Sequence, residues 1–146
     1  MKDINQQIIK FNHDTNLSKE NFFISKSNKH IFDFLNKWPK WEKNFINIVG
    51  ERFSGKTHLM SIFLKKYNGL KIESKSLNEQ HIKEIKLYEN IILEDMDKKV
   101  DEKLFYTLFN TIEQDNKFLI ITSNNPLTKI DFELPDLKSR SKTFIL

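Results

Sequence analysis

The sequence contains no cysteine. That removes disulfides, thiol nucleophiles and cysteine zinc sites, and it agrees with a reducing compartment. Glycine and proline number three each among 146 residues, so each is a positional signal rather than background. Arginine is nearly absent: Arg52 and Arg140 stand against 22 lysines. No apolar run approaches the roughly 20 residues that span a bilayer. No charged, apolar and cleavage-site regions open the chain, so a cytoplasmic protein without a membrane partner is expected. The formal charge is +4, but the lysines are spread along the whole chain. With abundant Lys, Asn, Ile and Phe they read as solvated surface and the codon bias of an AT-rich genome, more than as a nucleic-acid groove. What the chain does have is thirteen Phe and 38% hydrophobic residues. That is enough for one domain with a sizeable core.

No repeat or low-complexity tract appears. Residues 1–20 are polar around Asn12-His13-Asp14-Thr15-Asn16 and read as an extended arm, leaving 21–146 as the folded domain. Ser27 is placed to cap a helix through Trp38, with Ile31, Phe34, Leu35 and Trp38 on one stripe and Pro39 ending it. Phe45–Val49 reads as a buried strand, followed by a helix carrying Leu59, Met60, Phe63 and Leu64, with Gly69 just past its end. Leu70–Ile72 is a short strand, about 78–88 a polar helix, and Asn90–Asp95 a strand running into acids. Asp101 caps a helix with Leu104, Phe105, Leu108, Phe109 and Ile112, and Phe118–Thr122 is a continuous apolar strand. Leu134–Ser141 reads as a turn or helix and Thr143–Leu146 as a last strand. Alternating strands and helices predict an α/β fold, a parallel five-stranded sheet flanked by helices.

Gly50-Glu51-Arg52-Phe53-Ser54-Gly55-Lys56-Thr57 matches the phosphate-binding loop pattern of two glycines followed by Lys-Thr. The glycines let the backbone curl so that successive N–H groups face phosphate oxygens, and the helix that follows adds its positive end. Lys56 is placed to reach the β- and γ-phosphates and Thr57 to ligate Mg²⁺. Glu94 and Asp95 end a strand at the sheet's carboxyl edge, where such sheets bind ligands. One would hold Mg²⁺ and the other would orient or deprotonate water, in an order the sequence leaves open. Asn124, after the next strand, is placed to contact the γ-phosphate or the lytic water. Arg140 is a candidate finger acting on a neighbour's nucleotide.

These residues together resemble the DnaA-related AAA+ family, the ASCE-type P-loop NTPases of replication initiation, and most of all its Hda-type regulators from alphaproteobacteria. The resemblance runs from Gln6–Phe11 through Asn21-Phe22-Phe23-Ile24, Trp38-Pro39-Lys40-Trp41 and Gly55-Lys56-Thr57-His58-Leu59. It continues through Leu93-Glu94-Asp95-Met96-Asp97, Asp101-Glu102 and Leu134-Pro135-Asp136-Leu137-Lys138-Ser139-Arg140. It implies an adenine pocket at Phe23 and Ile24, and a phosphate cradle at Gly50, Arg52, Ser54, Gly55, Lys56, Thr57 and His58. Thr57, Glu94 and Asp95 become the Mg²⁺ residues, Asn124 the sensor 1 position and Arg140 the arginine finger.

The same resemblance implies ATP or ADP as cofactor. It names DnaA and the DNA polymerase III sliding clamp as partners, with a homo-oligomer as a further expectation, and it places the protein at the nucleoid through the clamp. Gln6, Ile9 and Phe11 match the clamp-binding peptide, with Gln7 where a Leu is usual. The family's helical lid and sensor 2 arginine would follow residue 146, and DnaA's origin-binding helix-turn-helix is lacking. The expectation is therefore a domain with the lid absent, weak intrinsic hydrolysis and no direct sequence-specific DNA binding. Two other readings stand beside the Hda-like regulator. One is a self-sufficient DnaA-family ATPase in initiation or helicase loading. The other is a pure clamp or DnaA interaction module with a vestigial nucleotide site.

Overall fold

The computed structural model describes residues 8–10, 26–50 and 55–144, with side chains over 29–50 and 55–139. In chain order the elements are β1 (Ile8–Lys10), α1 (Lys26–Leu35), β2 (Phe45–Val49), α2 (Lys56–Lys66) and β3 (Gly69–Glu73). They are followed by α3 (Glu79–Glu84), β4 (Asn90–Glu94), α4 (Glu102–Gln114), β5 (Phe118–Ser123) and α5 (Pro135–Phe144). The strands lie in the order β1-β2-β5-β4-β3, and every pairing is parallel. The carboxyl ends of β2, β5 and β4 therefore sit side by side, and whatever follows each strand meets at one rim.

The apolar runs expected as strands form the middle of this sheet, buried on both faces. Ile46, Ile48, Ile120 and Ile92 point to one side, against Ile31 and Leu35 of α1 and Leu59, Met60 and Phe63 of α2. Ile91, Leu93, Leu119 and Ile121 point to the other, against Phe105, Leu108, Phe109 and Ile112 of α4. The period-two alternation of β4 and β5 thus assigns each residue to a helix layer. By the same alternation Glu94 falls on the α2 side with Ile92, while Leu93 faces α4.

Two aromatic residues clasp the α2 side. The Trp41 indole N–H donates to the Phe34 carbonyl (2.8 Å), and its ring lies against Phe34, Phe63 and Phe118. Trp38 packs on Tyr67 and Phe118. The Trp-Pro-x-Trp turn thereby fastens α1 to α2 and to the start of β5. It also shortens α1: the helix stops at Leu35 instead of Trp38, and residues 36–39 form the turn, consistent with the helix-averse backbone before Pro39.

Three other expectations change. Thr143 and Phe144 lie in α5 rather than in a last strand; a four-residue apolar run is too short for its period to be read. The remaining edge of the sheet is covered from the other end of the chain. There β1, inside the segment expected as an extended arm apart from the domain, pairs Ile8, Ile9 and Lys10 with Asn47, Ile48 and Val49. Gly69 does not stop α2 by a left-handed turn, because Tyr67 closes the helix in extended backbone. Its need for glycine is close approach: a Cβ there would meet the Leu64 Cδ2 at 2.7 Å and the Asn90 carbonyl oxygen at 2.9 Å. Among the described residues no helix is long and apolar enough to cross a membrane.

Candidate nucleotide and metal site

The site is built at the rim where β2 ends. The Gly50 N–H donates to the Ser123 carbonyl (3.0 Å), carrying the β2–β5 ladder one residue past the strand. The chain re-enters at Gly55, whose φ of 98° lies in the left-handed region that favours glycine. Its carbonyl then accepts from the Leu59 N–H (3.0 Å) as the first turn of α2 closes. Gly55 has no side chain with which to cap that helix, and the positive end of the α2 dipole lies at this rim. Lys56 is buried (5% exposed), and its ammonium donates back to the Gly50 carbonyl. The lysine therefore spans the mouth of the loop that it closes. Thr57 is exposed and His58 half-buried on the same turn.

Opposite this turn lies Glu94. Its side chain is 1% exposed, and neither carboxylate oxygen has a hydrogen-bond partner. Burial raises its pKa above the ordinary 4.5. The Lys71 ammonium pulls it back, neighbouring Asp95 and Glu73 raise it, and the Thr57 hydroxyl lowers it. Thr57 favours the ionised form from nearby without meeting hydrogen-bond geometry. Asp95 is exposed and turns sharply, with φ at 57°. Its N–H donates to the Thr122 hydroxyl (3.0 Å) and its carbonyl accepts from the Ser74 hydroxyl (2.7 Å). The acid pair is thus divided: one carboxylate is sealed beneath Thr57, the other projects from a turn fixed through its backbone.

The third strand at the rim is held by a residue that belongs to no sequence motif. Asn47, fully buried in β2, donates to the Ile121 carbonyl (3.0 Å) and the Ser123 hydroxyl (3.1 Å) and accepts from the Leu127 N–H (3.2 Å). Ser123 in turn donates to the Asn125 carbonyl (2.7 Å). The loop bearing exposed Asn124 is therefore tied to the phosphate-loop strand. An amide inside Phe-Ile-Asn-Ile-Val was the sequence signal, since a buried polar side chain in an apolar strand has partners to satisfy. Glu102, at the start of α4, ties a second loop. Its carboxylate accepts from the Glu133 and Leu134 N–H groups (2.8–3.0 Å) and anchors the start of α5.

The chain matches no protein-family model and no curated protein. Solved structures do match. The AMPPCP-bound DnaA from Aquifex aeolicus superposes with a TM-score of 0.68 at 22% identity, over 88% of this chain and 48% of that one. Domain III of the Thermotoga maritima replication initiation protein DnaA gives 0.64 at 21% identity, over 90% and 65%. The chain has the fold of DnaA domain III. A further DNA replication initiation factor gives 0.64 at 23% identity, over 92% and 49%. The chain spans about half the length of the Aquifex DnaA structure and about two-thirds of the Thermotoga domain.

In this DnaA fold, the described part of the sequence-derived site converges. Gly50, Gly55, Lys56, Thr57, Glu94, Asp95 and Asn124 sit at the ends of β2, β4 and β5 or on the first turn of α2. Arg140 lies on α5, at a distance along the chain from that rim. Ile9 lies in β1. Gln6, Phe11, Phe23, Ile24, Arg52 and Ser54 fall outside the described residues. A magnesium ion fits the residues that are in place. Glu94 offers two buried oxygens without hydrogen bonds beside the Thr57 hydroxyl. Among the described residues no three acidic or histidine side chains gather into a metal site of their own. An ion here would therefore draw further ligands from nucleotide phosphate and water, the usual habit of Mg²⁺.

Proposed function

We propose that this chain is a nucleotide-binding regulator of replication initiation of the Hda type. It would bind ATP or ADP with Mg²⁺, dock on the sliding clamp through Gln6–Phe11, and promote hydrolysis of DnaA-bound ATP by supplying Arg140. The observation that carries the nucleotide reading is Glu94, buried without a hydrogen-bond partner beside Thr57, across from the lysine that closes the phosphate loop. A fold without a ligand to bind has little reason to keep a buried carboxylate there with no hydrogen bond to either oxygen. The DnaA fold and the AMPPCP in the Aquifex relative support adenine as the base.

On this reading Lys56 moves from the Gly50 carbonyl to the phosphates, a charge-assisted exchange of one oxygen for another. The α2 N-terminus faces the same anion. Thr57 and Glu94 hold Mg²⁺, which when bound neutralises phosphate charge. Asp95, exposed on a backbone-locked turn, orients water, and Asn124 reads the far phosphate from a loop fixed by Asn47. For residues 6–11 to enter a clamp groove as an extended peptide, β1 must leave β2. That pairing is three residues long at a sheet edge, a modest obstacle.

Calorimetric titration of Mg·ADP and Mg·ATP should give saturable binding that Lys56→Ala abolishes; equal binding by both proteins would end the nucleotide assignment. With clamp loaded on DNA and ATP-bound DnaA present, the wild type should accelerate hydrolysis. Arg140→Ala should not, while still binding nucleotide and clamp. Removal of residues 1–11 should abolish clamp binding, and retention would leave the arm as sheet edge alone.

A further inference from the structure

The register of β3 on β4 places Lys71 beside Ile92 and Glu73 beside Glu94. Ile72 is buried in the α4-side core, so alternation puts Lys71 and Glu73 on the α2 side, the face of Glu94. The Lys71 ammonium lies 3.8 Å from Glu94 Oε1. This is an ion pair without a hydrogen bond. Its two members are unequally free: the lysine side chain is 38% exposed and the glutamate 1%. The carboxylate is fixed in its strand end. The ammonium rides on a flexible four-carbon stem whose head can turn to water.

We propose that Lys71 is a displaceable counter-ion, holding the place of the divalent metal at Glu94 until metal-bound nucleotide arrives. The proposal rests on the reading of Glu94 as the metal carboxylate. A buried carboxylate with no neutralising partner is costly, and Glu73 and Asp95 add like charge around it. A single mobile cation offsets that cost in the empty site. It can be released because it is not hydrogen-bonded to Glu94, and neighbouring Glu73 offers it an exposed carboxylate at the surface. Metal and lysine then compete for one carboxylate. Removing a ligand weakens metal binding, whereas removing a competitor strengthens it, and this opposite sign separates the two roles.

The test uses the full chain with ADP and Mn²⁺, the free and bound metal being counted by electron paramagnetic resonance at pH 8.5. Lys71→Met should tighten Mn²⁺ binding in the ADP complex by roughly threefold or more, the scale of one partly screened charge. Lys71→Arg, which keeps the charge, should stay near wild type and guards against a packing artefact. Mn²⁺ affinity unchanged in Lys71→Met would make Lys71 an ordinary surface lysine, and weaker binding would make it a support for the metal; either result overturns the proposal. If the wild type itself takes up no Mn²⁺ with ADP, the nucleotide reading falls as well. That failure is distinct, because Glu94→Gln and Lys71→Met would then be equally silent.

Discussion

Replacing Glu94 with glutamine should make the nucleotide-free protein more stable and less able to use metal. In the wild type both carboxylate oxygens are buried without a hydrogen-bond partner, and burial raises the pKa above 4.5. The folded state then binds the proton more tightly than the unfolded chain. Stability contributed by the neutral acid is complete at low pH and is lost as pH rises from the ordinary carboxylate value through the raised one. A buried, unsatisfied polar group costs about 1–3 kcal/mol, and a charged one more. Lys71 at 3.8 Å offsets part of this. A net relief of about 1–3 kcal/mol remains for the neutral amide, roughly 2–10 °C in melting temperature for a domain of this size. Scanning calorimetry from pH 4.5 to 8.5 should show the two proteins close together at the acid end, with Glu94→Gln increasingly the more stable toward the alkaline end. Mg²⁺ added with ADP should raise the melting temperature of the wild type well beyond ADP alone, and do so far less in the variant. Parallel curves across the whole pH range, or a variant less stable at pH 8.5, would show that the carboxylate is adequately solvated in the fold and refute the reasoning.

Gly69→Ala should lower stability by about 1–3 kcal/mol, because the Asn90 carbonyl at 2.9 Å cannot step aside as a side chain could; urea titration measures it. Asn47→Leu leaves the Leu127 N–H and the Ser123 hydroxyl short of a partner and should cost about 2–4 kcal/mol in the same assay. Trp41→Ala, which empties the clasp between α1, α2 and β5, should cost about 3–5 kcal/mol. Glu102→Ala removes the acceptor of two N–H groups at the start of α5; amide exchange at Leu134 should quicken while β4 and β5 keep their protection.

The middle of the sheet was legible because its strands are buried on both faces and so read as unbroken apolar runs. Asp101 declared the start of α4, and its carboxylate accepts from the Leu104 N–H (3.2 Å) as a cap should. Edges carried less information. Ile8–Lys10 is three residues long, too short for periodicity, and only the open side of β2 makes it a strand. Thr-Phe-Ile-Leu at the other end looks like a strand in isolation, yet α5 runs to Phe144. The acid pair shows a different limit. Glu94 and Asp95 are chemically equivalent in the sequence, and what separates them is register: Glu94 shares its face with Ile92, toward α2, while Asp95 has already left the strand. Asn47 went unmarked within the apolar run of β2, and its three partners lie on another strand and the loop beyond it.

That asparagine has a consequence for how the protein opens. The Leu127 N–H belongs to a surface turn, and amides in such turns ordinarily exchange with solvent through small local fluctuations. Here its acceptor is a side chain from the middle of the sheet, 80 residues away in sequence, and Leu127 itself is completely buried. The turn cannot fray by itself without dragging on β2. Its proton should exchange as slowly as those of the central strands, and with the same denaturant dependence. A loop amide at the candidate site would thus report on unfolding of the entire sheet.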